Sequence, residues 1–547
     1  MAMMHGGRLV AEALARHGVT HLFTLCGGHI QAIYDGCLDV GIRVVDVRHE
    51  QTAGHAADGM ARATGRPGVV AVTAGPGVTD VVTALANAQR AGVPIVCIGG
   101  AGPVPLADRG SLQDMNHLDL VKAVVKASYR VTDTSRLAEY VGIAFRVAQA
   151  GVPGPVYLEM PLDVLMNYAE LGELPETPRY LPAGPAADGL ARAVELLAGA
   201  ERPMAIVGSQ LLWSPATGAL HALLERFAMP TFLNGMARTA LGADHPCKLT
   251  TVRKQALAQA DVVLVCGTPF DFRIDYGRAP TFPAAAKVIQ VDRDGAVLGH
   301  NRAVTVGLTA DTGLTLAALA AALPARAVEG NAWLASMRET ENKKAATMRA
   351  EMETVSDPPG PLHVCHVLGR YVDDDTVVIG DGGDFVATAA YALRLGAKGL
   401  WMDPGPLGTL GVGPGYAMAA KLARPNAKVI AVYGDGAFGL HAMELEAMAR
   451  QKIPVVCVIG NDAGWTQIRR GQVQIYGEQR AVATALAYTR YDEVAKALGC
   501  FGAWVERAAD LAPALDAAFA AAARDQVPAV VNVKIGSSDF RKGALSV

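Results

Sequence analysis

Short Val/Ile-rich runs bounded by glycine, aspartate or proline alternate with longer Ala/Leu-rich amphipathic stretches along most of the chain. Runs such as Val69 to Thr73, Val262 to Cys266 and Ile453 to Ile459 have the continuous apolar character of strands covered on both faces. Parallel strands of this kind need crossovers of a dozen or more residues, which the amphipathic stretches supply. The pattern therefore predicts an α/β chain of doubly wound parallel sheets. With 547 residues the chain is too long for one core and divides into roughly three domains of about 150 to 200 residues each. They are expected at 1–175, 189–330 and 356–547. A Pro/Gly-rich linker from Leu174 to Asp188 marks the first boundary. A charged, strandless helix around Ala332 to Val355, followed by Ser356-Asp357-Pro358-Pro359-Gly360-Pro361, marks the second.

Composition narrows the function classes. Hydrophobic residues make up 51% of the chain, charged residues 18%, and the net charge is −3, so the charge balance favours neither nucleic acid nor an anionic membrane surface. No run reaches the ~20 apolar residues of a membrane span. The stretch from Met1 to Glu12 turns amphipathic at once, where a signal peptide would need an apolar core. Eight cysteines (Cys26, Cys37, Cys97, Cys247, Cys266, Cys365, Cys457, Cys500) are scattered without a Cys-x-x-Cys pair, so reduced core thiols in a cytoplasmic protein are expected.

The chemistry concentrates at Gly434-Asp435-Gly436-Ala437-Phe438, directly after the apolar run Ala427 to Tyr433. A carboxylate at the end of a buried strand, flanked by glycines that let a phosphate approach the backbone, reads as half of a cation-diphosphate site. The other half is expected after the next strand. There, Gly460-Asn461-Asp462-Ala463-Gly464-Trp465 places Asp462 27 residues beyond Asp435, about one strand-helix-strand crossover.

This Gly-Asp-Gly pattern, with its answering Asn-Asp, resembles thiamine diphosphate (ThDP) enzymes. A second marker agrees, His49-Glu50 after the apolar run from Ile42 to Val47, followed by Gln51 to Arg62 and then Ala74-Gly75-Pro76-Gly77. The whole resembles the group that holds acetolactate synthase, benzaldehyde lyase and 2-hydroxyacyl-CoA lyase. Gly-Asn-Asp-Ala-Gly-Trp-Thr-Gln from Gly460 to Gln467 and Ser538-Asp539-Phe540-Arg541-Lys542-Gly543 are most similar to its acetolactate synthase-like 2-hydroxyacyl-CoA lyase branch. The resemblance implies a pyrimidine-binding, a central Rossmann-like and a diphosphate-binding domain, in that order. It also implies a homodimer or homotetramer with the active site at the subunit interface.

On this resemblance Glu50 drives tautomerisation of the cofactor's aminopyrimidine, and Asp435, Asp462 and the carbonyl of Gly464 ligate magnesium. Asp462 stands where asparagine is commoner in the family, and its extra charge favours a divalent ion. The diphosphate cradle is expected to include Gly382, Asp384 and Phe385, with Gly434, Gly436 and the amides of Ala437 and Phe438, and with Trp465 nearby. Gly408 and Leu410 fall where the family wedges an apolar side chain under the cofactor, although a leucine between glycines reads equally as core. His29, on the turn Cys26-Gly27-Gly28-His29, is the candidate for moving a substrate hydroxyl proton. Gln113 would hydrogen-bond the reacting oxygen. His117 and Asp119 read as structural, and Trp465, Thr466 and Gln467 open a polar stretch suited to a lid.

The central block carries strands at Pro203 to Val207, Val262 to Cys266 and Val288 to Val291 but no Gly-x-Gly-x-x-Gly turn, so FAD or the ADP part of coenzyme A is weakly supported there. Arg273 or Arg278 could meet a nucleotide phosphate, although surface arginines are the commoner case. The expected activity is lyase or carboligase chemistry on a small-molecule carbonyl or acyl-CoA substrate, either a 2-hydroxyacyl-CoA thioester or a 2-hydroxyketone. Acetolactate synthase, a non-catalytic nucleotide-binding or regulatory homologue, and a flavin or nicotinamide oxidoreductase are the alternatives.

Overall fold

The computed structural model describes residues 3–170 and 181–536. The first part of the Leu174 to Asp188 linker and the Ser538 to Gly543 stretch lie outside the described residues. Three parallel sheets appear, each with helices between its strands, as the alternating pattern predicts.

In the first sheet the neighbours run Arg43–Asp46, His21–Thr24, Gly68–Val72, Ile95–Ala101, Pro155–Pro161, Ala127–Arg130. In the third they run Leu400–Met402, Val377–Asp381, Val429–Gly434, Val456–Asn461, Ala529–Lys534, Phe501–Val505. Counted along the chain within each sheet, both orders are 2-1-3-4-6-5. The five-stranded central sheet, Thr231–Leu233, Pro203–Val207, Val262–Cys266, Lys287–Asp292, Val306–Thr309, is 2-1-3-4-5. All three reverse direction between their strands 1 and 3, and that reversal opens a crevice at the carboxyl edge. An antiparallel ladder of Met3–His5 with Tyr168–Glu170 ties the start of the first domain to its end.

The strand expected over Ile453 to Ile459 enters the ladder only at Val456. Lys452 takes a left-handed backbone with φ 57°, and Pro454 has no N–H to give a neighbour.

The first and third domains share one apolar core, in which Phe23, Val45 and Val70 join Ile379, Tyr416 and Ile459. Helix Glu50–Thr64 crosses helix Gly413–Ala423 at close range. A side chain at Gly415 would stand 2.7 Å from the Thr52 carbonyl, and one at Gly59 2.9 Å from the Tyr416 backbone. At the crossing, the buried Asp58 carboxylate accepts from Arg62 at 2.6 and 3.1 Å, from Asn87 at 3.1 Å and from the Tyr416 hydroxyl at 2.8 Å. Arg62 in turn donates to the Asp403 carbonyl at 2.6 Å and lies over the Tyr416 ring. Farther out, Arg450 pairs with Asp46, and Glu444 accepts from the Arg48 amide.

Removing one partner of a buried pair leaves its charge uncompensated, at a cost of about 3–5 kcal/mol. Asp58→Ala is therefore expected to bring urea unfolding of the first and third domains to markedly lower concentration, followed by circular dichroism. An unchanged transition would show that the cluster does not hold the domains together.

Candidate active site

In the third sheet, strand Val377–Asp381 lies beside Val429–Gly434, with Asp381 opposite Tyr433, so the loops at Gly382 and Gly434 meet across the crevice. Gly382 has φ 143° and a side chain there would sit 2.7 Å from the Gly434 nitrogen, so backbone lines this floor. Asp435 begins the short helix Asp435–His441, is buried, and accepts from the Gly464 amide at 3.2 Å. Asp462 lies next to it. Burial, and then the Asp462 charge, push the Asp435 carboxyl up to about 7. Burial likewise raises Asp462, with Thr466 hydrogen-bonded to it in opposition and Asp384 adding repulsion. Among the described residues no cluster of three or more His, Cys, Asp or Glu side chains is arranged to hold a metal.

Asp381, which closes strand Val377–Asp381 immediately before Gly382, has a defined task that the sequence reading did not assign. Fully buried, it accepts from the Gly411 amide at 3.0 and 3.1 Å and from the Gly413 amide at 2.8 Å, fixing the turn that carries Gly408 and Leu410. Burial pushes its carboxyl up to about 6 against those two amides. The signal was available, an aspartate closing an apolar strand before Gly-Gly. Gly408 is left-handed at φ 70° and exposed, while Leu410 is half-buried and its carbonyl accepts from Gln51 at 3.4 Å.

Two expected cradle side chains point elsewhere. The Phe385 ring packs in the core, filling the space over Gly460 that a side chain there would enter at 2.5 Å. Phe438 stands edge-on to Tyr433 and Tyr491, 5.1 Å from each ring centroid. Both rings serve the core, which leaves only their backbone for a ligand. The Trp465 ring covers Gly436, where an added side chain would meet it at 2.5 Å. Asp384 is ion-paired with Arg470, whose Nη1 donates to Oδ1 at 3.0 Å. Through that pair, helix Thr466–Tyr476 lies over the Gly382 to Asp384 loop, with Gln467 against Gly383.

In the first sheet the crevice between strands 1 and 3 holds His29. Its Nδ1 stands 3.2 Å from the Thr73 hydroxyl, and Gly27 and Gly100 leave room for Thr73 and for His29 itself. Burial lowers the imidazole pKa, the Leu112 carbonyl and the Gln113 side chain oppose it through hydrogen bonds, and His117 adds to the lowering. The structure thus brings His29 and Gln113 together. Gln113 has φ 61° and packs on Gly75, a contact that a side chain at Gly75 would enter at 2.8 Å. His117 is a locked structural group. Its Nε2 accepts from the Gly75 amide at 2.8 Å, so Nδ1 carries the proton and donates to Glu159 at 2.7 Å.

Glu50 opens helix Glu50–Thr64 behind the His49 cap and is buried. Burial raises its carboxyl pKa, and Asp80 adds to the rise. The charges that act on Glu50 are Asp80 and His49, whereas Asp435 responds to Asp462. Among the described residues no hydrogen bond or ion pair joins Glu50 to the Asp435 pair. In the central domain Arg273 is committed to Asp271 at 2.6 to 3.0 Å, and Arg278 stays near the surface beside Tyr276 and Asn301.

The chain matches three family models in order: thiamine pyrophosphate enzyme N-terminal TPP binding domain over residues 4–120, central domain over 190–319, and C-terminal TPP binding domain over 381–533. Among curated relatives it is 39% identical to 2-hydroxyacyl-CoA lyase 2 of Caenorhabditis elegans, covering 99% of this chain and 91% of that one. It is 38% identical to 2-hydroxyacyl-CoA lyase 2 of Homo sapiens, covering 100% and 92%. It is also 39% identical to a probable acetolactate synthase of Mycobacterium bovis, covering 97% and 95%. With two crevices of the same strand order and all three family domains in sequence, the chain belongs to the thiamine pyrophosphate enzymes, as a lyase or carboligase dependent on that cofactor.

Proposed function

We propose a ThDP- and magnesium-dependent carbon–carbon lyase or carboligase that acts on 2-hydroxyacyl-CoA thioesters or 2-hydroxyketones, releasing an aldehyde or joining two carbonyl compounds. The observation that carries this reading is His29 held beside Gln113 in the first-domain crevice, an uncharged imidazole next to a side-chain amide. The donor set of the third domain fits the diphosphate and its ion. Backbone floors the cradle at Gly382 and Gly434, and Asp435 and Asp462 are hard oxygen donors whose mutual repulsion a divalent cation relieves, with Gly464 adding a carbonyl. When bound, ThDP supplies a carbon nucleophile and an electron sink for breaking or making the bond.

The protein's own groups do the rest. Glu50 holds a proton toward a ring nitrogen of the aminopyrimidine, and its raised pKa brings that exchange nearer neutrality. His29, lowered below its ordinary 6.5, is uncharged at neutral pH and takes the substrate hydroxyl proton. Gln113 cannot titrate and hydrogen-bonds the reacting oxygen. Helix Thr466–Tyr476 excludes water from above.

The working unit is read as a homodimer, with pairing into a tetramer, in which one protomer's Glu50 serves its partner's cradle. Support comes from the lack of a hydrogen bond or ion pair between Glu50 and Asp435 among the described residues. Large apolar side chains are also exposed beside the two half-sites, Leu112 at 79% and Tyr476 at 63% among them. The eight unpaired cysteines favour a cytoplasmic setting, and no helix among the described residues is long and apolar enough to cross a membrane. A second reading, acetolactate synthase, draws on the mycobacterial relative.

Glu50→Gln is expected to lower turnover of a 2-hydroxyacyl-CoA and of a 2-hydroxyketone by about 100-fold or more, and His29→Ala to slow aldehyde release by about 10²–10⁴-fold. Acetolactate formed from pyruvate at a rate indifferent to His29→Ala would replace this reading with the synthase.

The acid pair sets the pH dependence of loading. Below about 7 Asp435 carries a proton that the cation must displace, so magnesium-dependent ThDP binding should strengthen as pH rises through 7. For folding without cofactor the sign reverses. The native state binds more protons than the unfolded chain between about 4 and 7, so the pair's contribution to stability falls as pH rises across that window. Asp462→Asn should flatten both trends, in calorimetric titration and in thermal melts respectively.

Mixing inactive Glu50→Gln with inactive Asp435→Ala protein should restore turnover through hybrid dimers. Continued silence after subunit exchange would mean that one chain supplies both halves.

A further inference from the structure

The loop that carries Gln113 is anchored by one buried side chain. From Pro103 to Asn116 no residue is buried, and Leu112 and Met115 are both exposed, so apolar packing does little to fix this segment. His117, the next residue, is 1% exposed. Gln113 nevertheless takes a left-handed backbone at φ 61°, which a residue with a Cβ keeps only where its surroundings impose it.

Two contacts on a single glycine impose it. Gly75, which opens helix Pro76–Ala91, lies against the Gln113 backbone so closely that a side chain there would come within 3.0 Å of the Gln113 carbonyl oxygen. The N–H of the same glycine donates to His117 Nε2 at 2.8 Å. Behind His117 stands Glu159, 2% exposed on strand Pro155–Pro161, with one oxygen 2.7 Å from Nδ1 and the other 3.3 Å from Arg130 Nε. Arg130 is its register neighbour on the adjacent parallel strand. The Arg130-paired carboxylate accepts the Nδ1 proton of His117, which leaves Nε2 as the acceptor that the Gly75 N–H needs. The turn so fixed also adjoins His29, because Thr73, 3.2 Å from His29 Nδ1, stands two residues before Gly75.

We propose that Glu159 and His117 are positioning residues of the first-domain crevice: the Glu159–His117–Gly75 chain holds Gln113 in its left-handed conformation, with the side-chain amide at His29. A carboxylate behind an imidazole sets its tautomer and ring orientation, and here the imidazole hands that order to a backbone amide instead of a reacting atom. A buried pair placed for stability alone could sit anywhere in the core. This one lies four residues from Gln113, and its last bond ends on the glycine that Gln113 touches. What Gln113 and His29 then do to a substrate rests on the lyase reading, whereas the clamp rests on the bonds themselves.

The test follows diethyl pyrocarbonate labelling of His29 by peptide mass spectrometry in protein loaded with ThDP and magnesium, with the fully buried His55 as internal control. His117→Leu leaves the Gly75 N–H without an acceptor, and the nearly isosteric Glu159→Gln leaves one acceptor oxygen for two donors. Both should speed His29 labelling about tenfold or more while His55 stays at the parent's rate. His117→Gln, whose amide can accept from Gly75 and donate to Glu159, should return labelling most of the way to the parent's. With a 2-hydroxyacyl-CoA, kcat should fall about tenfold in the first two variants and KM stay within about twofold, because the bond weakened is one made to the reacting oxygen. His29 labelling at the parent's rate in both variants overturns the proposal. So does acceleration of His29 and His55 together, which marks general loosening, or a His117→Gln protein as open as His117→Leu. The expected labelling in a protein that turns over neither a 2-hydroxyacyl-CoA nor a 2-hydroxyketone would overturn the lyase reading and support the clamp.

Discussion

The crossing of helix Glu50–Thr64 over helix Gly413–Ala423 is the contact on which the rest of the molecule depends. The first helix begins with Glu50, and the second begins beside the turn that Asp381 fixes through Gly411 and Gly413. One packing event therefore sets the position of the buried Glu50 carboxyl and of the turn next to the Gly382 and Gly434 loops. Two glycines let the backbones close, and Asp58, satisfied by Arg62, Asn87 and Tyr416, locks the crossing inside an apolar core. A carboxylate buried there without those donors would be expelled or protonated. With them it fixes the angle at which two domains meet.

The buried acids of the crevices fall into two kinds. Asp381 spends both oxygens on backbone amides and shapes a turn. Asp435 accepts from the Gly464 amide at 3.2 Å and lies beside a like-charged neighbour. The first arrangement is complete as it stands, and the second becomes favourable only when positive charge arrives. That contrast separates a structural acid from a ligand-seeking one more clearly than burial does, since both are buried.

Much of this was legible in the sequence. Continuous apolar strands alternating with helices gave the three parallel sheets, because strands covered on both faces can be built in few other ways. Glycine next to aspartate at strand ends located both halves of the Asp435 pair, because backbone approach and a hard oxygen donor leave a mark only a few residues long. What escaped was the direction of side chains. Phe385 and Phe438 sit within the motif, yet their rings turn into the core, since a residue next to a crevice can face the layer beneath it. Asp381 was passed over because its partners lie about 30 residues downstream, in a turn whose path only tertiary packing defines.

The first and third sheets share one strand order, yet their crevices hold different groups, an imidazole beside a side-chain amide at His29 and a pair of like-charged carboxyls at Asp435. Two copies of one scaffold that meet face to face can diverge independently, because each carries its reactive groups on loops that the other's strands do not hold in place. Natural variation in this chain should therefore partition. Changes on the loops of one sheet would leave the loops of the other in place, so the groups of each crevice can vary without displacing those of its counterpart.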